Sequence, residues 1–267
     1  MMPLLRLIPA LMLAGCAAAP AGPPFTLHPG DRVGLLVEAG DMPVHTHYES
    51  DGRSAGRIAR AYPYDWQLDN AVAATVQREL TQAGFSVVDL ESQGLRHDDL
   101  AGLIGPAGRQ WQPSAGPLYE GLRAQGVRAV VLVKDARTLA VQDCSGGPCD
   151  RVAEGPGVYS SSTNGVTSWR AVSGFQWNVF LLDPPGDLAT APPLRDTLRA
   201  PSVPLYGAVR PGQGAAPTEA ELMAVRDKVL EYVEATAEDV VLALGGRRTV
   251  TQAAAPVPGG GETSSGR

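Results

Sequence analysis

Lysine is scarce in this chain: Lys134 and Lys228 are the only two, and the other permanent cations are arginines. The formal net charge is −6, so no overall positive field draws the chain to polyphosphate, and nucleic acid is not an expected partner. Long apolar runs are missing as well. The stretch Leu7-Ile8-Pro9-Ala10-Leu11-Met12-Leu13 is interrupted by proline and falls short of the roughly 20 residues a transmembrane helix needs. Catalytic signatures are equally thin. Ser160-Ser161-Ser162 lacks the Gly-x-Ser-x-Gly elbow of serine hydrolases. Ser145-Gly146-Gly147 lacks the lysine and the following helix of a phosphate loop, and no motif asks for a cofactor. What remains is 267 residues, 44% hydrophobic and 19% charged, enough for one core of ordinary size.

The N-terminus has the layout of an export signal: Arg6, the apolar stretch, then the small residues Ala14-Gly15 ahead of Cys16. Leu13-Ala14-Gly15-Cys16 resembles the lipobox of bacterial lipoproteins over those four residues. The resemblance implies that residues 1–15 are a signal peptide cleaved before Cys16. It also implies a diacylglycerol on the Cys16 thiol and a further acyl chain, such as palmitate, on the new amino group. Each buried methylene contributes about 0.8 kcal/mol, so several chains anchor a protein without spanning the membrane. In such lipoproteins an aspartate after the lipidated cysteine marks retention at the inner membrane. Ala17 stands there, so the expectation is an outer-membrane anchor with the domain facing the periplasm, and an inner-membrane anchor is the alternative.

Two cysteines remain, Cys144 and Cys149 in Cys-Ser-Gly-Gly-Pro-Cys. In an oxidising periplasm they are expected to form a disulfide. Closing so small a loop stabilises by about 2 kcal/mol on the chain-entropy model. The rival is a redox-active pair, but the spacing is not Cys-x-x-Cys and no helical pattern follows Cys144 to lower its pKa. Residues 16–24 read as a lipidated tether, and residues 246–267, without apolar period, as a disordered tail.

Between the ends, residues 25–245 read as a single α/β domain. Arg32-Val33-Gly34-Leu35-Leu36-Val37 is a strand after a Pro-Gly-Asp turn. From Asp69, the residues Val72, Ala73, Val76, Leu80 and Ala83 recur at helical spacing and stop at Gly84, a natural C-terminal cap. Phe85 to Leu90 alternates as a strand, so the unit is strand, helix, strand, which pairs parallel. Leu118 to Gln125 reads as a short helix, and Val127 to Val133, the most continuously apolar strand, as the sheet centre. Val158 to Thr163 and Val166 to Ala171 flank Asn164-Gly165, a hairpin signal. Phe175, Trp177, Val179 and Leu181 share one face of a strand that ends at Asp183-Pro184-Pro185-Gly186. Pro192 to Pro217 reads as long and mostly irregular, covering the surface or packing on a partner. Thr218 and Glu221 form a capping box opening the last helix. Its apolar stripe, Leu222, Val225, Val229, Val233, Val240, Val241 and Leu244, packs it on the domain's flank. The expected architecture has two or three layers: a mixed β-sheet of βαβ units, an antiparallel hairpin and a packed C-terminal helix.

This order of elements resembles the periplasmic lipoproteins typified by the curli secretion protein CsgG, the penicillin-binding-protein activator LpoB and the N-terminal domain of TolB. The residues that carry it are Thr75 to Leu90, Val127 to Val133, Phe175 to Gly186 and the final helix. It implies a non-enzymatic accessory role in envelope assembly, secretion or synthase activation, through binding to envelope proteins or to copies of itself. The strands around Asn164-Gly165 are too short and too rich in Ser and Thr to form a lipid-facing band, which argues against a pore.

Three groups of side chains are candidates for chemistry. His45-Thr46-His47 puts both imidazoles on one face of a strand, as a zinc site could use, though a third ligand would have to come from His28, Glu49, Asp51 or elsewhere. A metal-dependent enzyme on His45 and His47 is therefore the first alternative, against a polar strand rim. Tyr62-Pro63-Tyr64-Asp65-Trp66 is the densest aromatic cluster: exposed it is a protein or ligand anchor, the second alternative being a carrier or sensor that binds lipid or glycan beside Trp66, and buried it seals the helix that follows. Asp98-Asp99 reads as a solvated turn after His97.

Overall fold

The computed structural model describes residues 26–50, 55–105, 108, 110–140, 151–163, 166–190, 194–198, 202–204 and 217–247. Cys16, Cys144, Cys149, the tether, the tail beyond Arg247 and the Asn164-Gly165 turn lie outside them. The chain runs through β1 (Arg32–Glu38), β2 (Val44–Ser50), β3 (Ala55–Ala61), α1 (Leu68–Gln82) and β4 (Ser86–Asp89). Helices α2 (His97–Ala101) and α3 (Gly116–Ala124) lead to β5 (Val127–Asp135), then the short β6 (Thr138–Leu139) and β7 (Val152–Ala153). There follow β8 (Gly157–Thr163), β9 (Val166–Val172), β10 (Phe175–Leu182), β11 (Pro185–Asp187), α4 (Leu194–Thr197), β12 (Ser202–Pro204) and α5 (Glu219–Ala243).

The first sheet has the order β11-β10-β5-β1-β4. Strand β1 is parallel to both β4 and β5, and β10 closes antiparallel on β5. Helix α1 ends as its sequence predicts. Gly84 takes φ +90°, its N–H donates to the Thr81 carbonyl at 2.9 Å, and the Phe85 N–H reaches the Leu80 carbonyl at 3.0 Å. These are the two bonds of a Schellman cap, and they aim the chain directly into β4. Strand β5 occupies the centre, with Ala129 to Val133 fully buried. Chain reversal after Asp183 adds β11, which pairs Phe180 with Asp187.

The strands expected in one sheet divide over two, and this is the main difference from the sequence reading. The second sheet has the order β12-β9-β8-β2-β3, antiparallel throughout except for β2 with β8. Strands β1 and β5 are apolar on both faces, whereas β8 and β9 carry hydroxyls that pair with one another: Ser161 with Ser168 and Ser162 with Thr167, each at 2.8 Å. Such strands cannot enter the first sheet without orphaning those groups. Gly157 permits the β2–β8 pairing. It sits at φ +142°, and any side chain there would collide with the Val44 backbone.

Helices bind the layers together. Leu36, Val130, Leu132 and Phe180 pack under α2 and α3 on one face of the first sheet. On the other face Val33, Leu35, Val131 and Val133 meet α1, and the same cluster continues through α5 to Val158 and Ala171 of the second sheet. Expected on the flank, α5 lies instead between α1 and the second sheet. Its predicted stripe is buried, and its capping box is formed, with the Glu221 N–H donating to Thr218 Oγ1 and the Thr218 N–H to Glu221 Oε2. The α/β class, the mixed pairing and the C-terminal helix stand as the sequence predicts. Among the described residues no helix is long and apolar enough to cross a membrane.

Candidate functional site

Period-2 alternation places His45, His47 and Glu49 on one face of β2, and the parallel register sets His47 beside Ser160 of β8. Both imidazoles turn to that one hydroxyl: His45 Nε2 and His47 Nδ1 each lie 2.7 Å from Ser160 Oγ. The other nitrogen of His45 meets the Tyr62 hydroxyl at 3.0 Å, and Trp169 closes over the ring at a centroid distance of 5.3 Å. Burial, reinforced by His47, lowers His45 to about 4, so its ring is neutral at pH 7. Two proton arrangements then satisfy every atom. Tyr62 donates to His45, His45 to Ser160 and Ser160 to His47, or every bond runs the other way.

This chain of hydrogen bonds joins residues 115 positions apart, and Ser160 is fully enclosed. A nucleophile would need a substrate carbonyl beside Oγ, and no surface of that hydroxyl is open to one. As for a metal, His45 and His47 are brought together as the sequence predicts, but among the described residues no set of three His, Cys, Asp or Glu side chains converges. The arrangement locks β2 to β8.

The aromatic segment takes the sealing position. Tyr62 and Trp66 are buried and Tyr64 half-buried. The Trp66 backbone N–H donates to the Asp41 carbonyl at 2.8 Å, and the Trp66 carbonyl accepts from Arg226 Nε of α5 at 2.8 Å. Asp98 and Asp99 open α2: the Asp99 carboxylate accepts the Arg96 N–H at 2.9 Å, and exposed Asp98 lies 3.3 Å from Lys134 Nζ. His97 itself is buried.

Sequence reasoning missed the carboxylates around the C-terminal ends of β1 and β5. Because β4 and β5 flank β1, these ends form the point where the chain's winding reverses, the usual crevice of open α/β sheets. There Asp69 accepts the Ala39 N–H and Asp135 the Gly40 N–H, each at 2.8 Å. Burial raises Asp135 to about 6, with the Gly40 N–H opposing the rise and Asp69 and Asp41 adding to it. A neighbouring cleft of about 210 Å³ beside β4 is lined by Val37, Asp69, Asn70, Gln77, Asp89 and Glu91. Asp69 and Asp89 are both engaged by backbone N–H groups, which makes them loop fasteners.

The least protected feature is an edge. Of the four strands that end the two five-stranded sheets, β4 has four residues, β11 three with Pro185, and β12 three with Pro204. Shortness and proline are the usual devices that blunt an edge. Strand β3 has neither. It runs seven residues in unbroken register with β2, and residues 56–61 are all exposed, with Ile58 at 66%.

Fold and site thus define a mixed α/β class in which two sheets are joined through a helical layer. No family model matches the chain, and neither a curated protein nor a solved structure matches it.

Proposed function

We propose that this chain is a membrane-anchored periplasmic lipoprotein, a non-enzymatic accessory of envelope assembly or secretion that works by binding protein. The address rests on the export signal and on Leu13-Ala14-Gly15-Cys16, with Ala17 favouring the outer membrane. The observation that carries the activity is β3, a long regular strand whose outer N–H and C=O groups have no neighbouring strand among the described residues. Such an edge takes up an extended segment by β-augmentation: main-chain hydrogen bonds supply affinity and alternate side chains supply selectivity.

The experiment is photo-crosslinking of the full-length chain in its own envelope, with the reactive side chain at position 58 or, as control, at Leu242, which is 43% exposed on α5. The expected result is a discrete protein adduct from position 58 that is absent from position 242. No adduct from 58, or the same adduct from both, would overturn the reading. Cys16→Ser is expected to move the chain from the membrane to the soluble fraction, and an unchanged membrane fraction would refute the lipid anchor.

A further inference from the structure

We infer that β3 pairs with β3 of a second copy of this chain, antiparallel, about a two-fold axis centred on Ile58. This rests on the protein-binding reading above and names its occupant. Residues directly opposite in a sheet share a face, so two identical antiparallel strands can only be centred on a residue. Centring on Arg57 or Arg60 sets like charges directly opposite one another, which is destabilising. Ile58 is the midpoint of Ala55–Ala61, so centring there uses the whole strand. Ile58 then faces Ile58, Arg57 faces Ala59 and Arg60 faces Gly56, each long side chain against a short one.

Gly56 is the independent sign. Its φ is not in the left-handed range, and a Cβ built on it would meet no described residue within 4 Å, so nothing among the described residues requires glycine there. Glycine also weakens a strand. In the paired register, Gly56 has Glu49 of β2 on its inner side and Arg60 of the second copy on its outer side, all on one face. Strands lie about 4.8 Å apart, so an arginine two strands from a glutamate reaches it when the residue between has no side chain. Arg60 of each copy thus passes over the bare Gly56 of the other to Glu49, twice by symmetry. Seven residues a side make a small interface. Tethering both copies to one membrane raises their effective concentration and lets a small interface suffice.

The test uses the full-length lipidated chain in phosphatidylethanolamine–phosphatidylglycerol vesicles, with Ile58→Cys and a short bismaleimide, and the chain without the added thiol as control. The expected result is a self-crosslinked dimer. Gly56→Val is expected to cut its yield about tenfold with an unchanged or higher melting temperature, because valine suits a strand but blocks the arginine. Arg60→Glu is expected to cut it similarly, and Glu49→Arg combined with Arg60→Glu to restore it. No self-crosslink, or a yield indifferent to Gly56→Val and to charge reversal, would overturn the self-pairing. If self-crosslinking fails while position 58 still gives a discrete adduct with another envelope protein, only the second copy is removed. If both fail, the protein-binding reading falls with it.

Discussion

Ser160 replaces water with two imidazoles, and the arrangement holds only while all three side chains are present. Ser160→Ala leaves His45 Nε2 and His47 Nδ1 facing a methyl group. A polar atom deprived of its partner costs about 1–3 kcal/mol when buried, and for a domain of this size each kcal/mol lowers the melting temperature by about 2–4 °C. Thermal unfolding of the variant is therefore expected several degrees below the parent. An unchanged midpoint would mean that water takes the hydroxyl's place and that the node is not a lock. At this scale the sequence was half legible. His-x-His declares a shared face through the period of two, but its partner lies more than a hundred residues away in a run of three serines, none of which is distinguished locally. Tyr62 stood out for its ring, which does stack on His45, but nothing local singles out its hydroxyl, which hydrogen-bonds that imidazole.

Elements were legible where burial is one-sided or complete. Strands β1 and β5 and helices α1 and α5 announce themselves because their apolar residues recur at a fixed period or run unbroken. Strand β3 does not, since its residues 56–61, Gly-Arg-Ile-Ala-Arg-Ala, are exposed on both faces and water imposes no alternation on them. The division into two sheets was hidden for a related reason: pairing is decided by which strands bring compatible faces, and β2 and β8 meet across a distance in sequence that no local pattern encodes. The stripe of α5 allows a sharp comparison between adjacent residues. Leu222 is fully buried in the cluster that joins the sheets, while Met223 is 39% exposed. Leu222→Ala is expected to cost about 2–5 kcal/mol and Met223→Ala less than about 0.5 kcal/mol. Urea unfolding checks this: the midpoint should fall for the first variant alone, with the slope unchanged in both. Equal midpoints would mean that α5 does not hold the sheets together.

Over the whole molecule, two half-buried titrating groups, one at each sheet, act on stability with opposite signs. His45, facing His47, Tyr62 and Ser160 with Arg60 beside it in register, falls from 6.5 unfolded to about 4 folded. Between those values the unfolded chain holds the extra proton, so the contribution of His45 is complete above pH 6.5 and is lost as pH falls through 4. Asp135, facing Gly40, Asp69 and Asp41, rises from 3.8 to about 6. Here the native state holds the extra proton, so stability is complete below about pH 4 and is lost as pH rises through 6. Asp187, raised by burial at the far edge of the first sheet, adds to the same side. The His45 and Asp135 slopes oppose each other between pH 4 and 6, each at most about 1.4 kcal/mol per pH unit and less after solvent screening. His45→Gln is therefore expected to tilt the stability curve downward with rising pH relative to the parent, and Asp135→Asn to tilt it upward. The double variant should run parallel to the parent, because the sites sit on different sheets and their effects add. Urea unfolding at pH 4.5, 5.5 and 6.5 reads this directly. Single variants whose curves stay parallel to the parent's would show that neither group is held away from its ordinary titration by the fold.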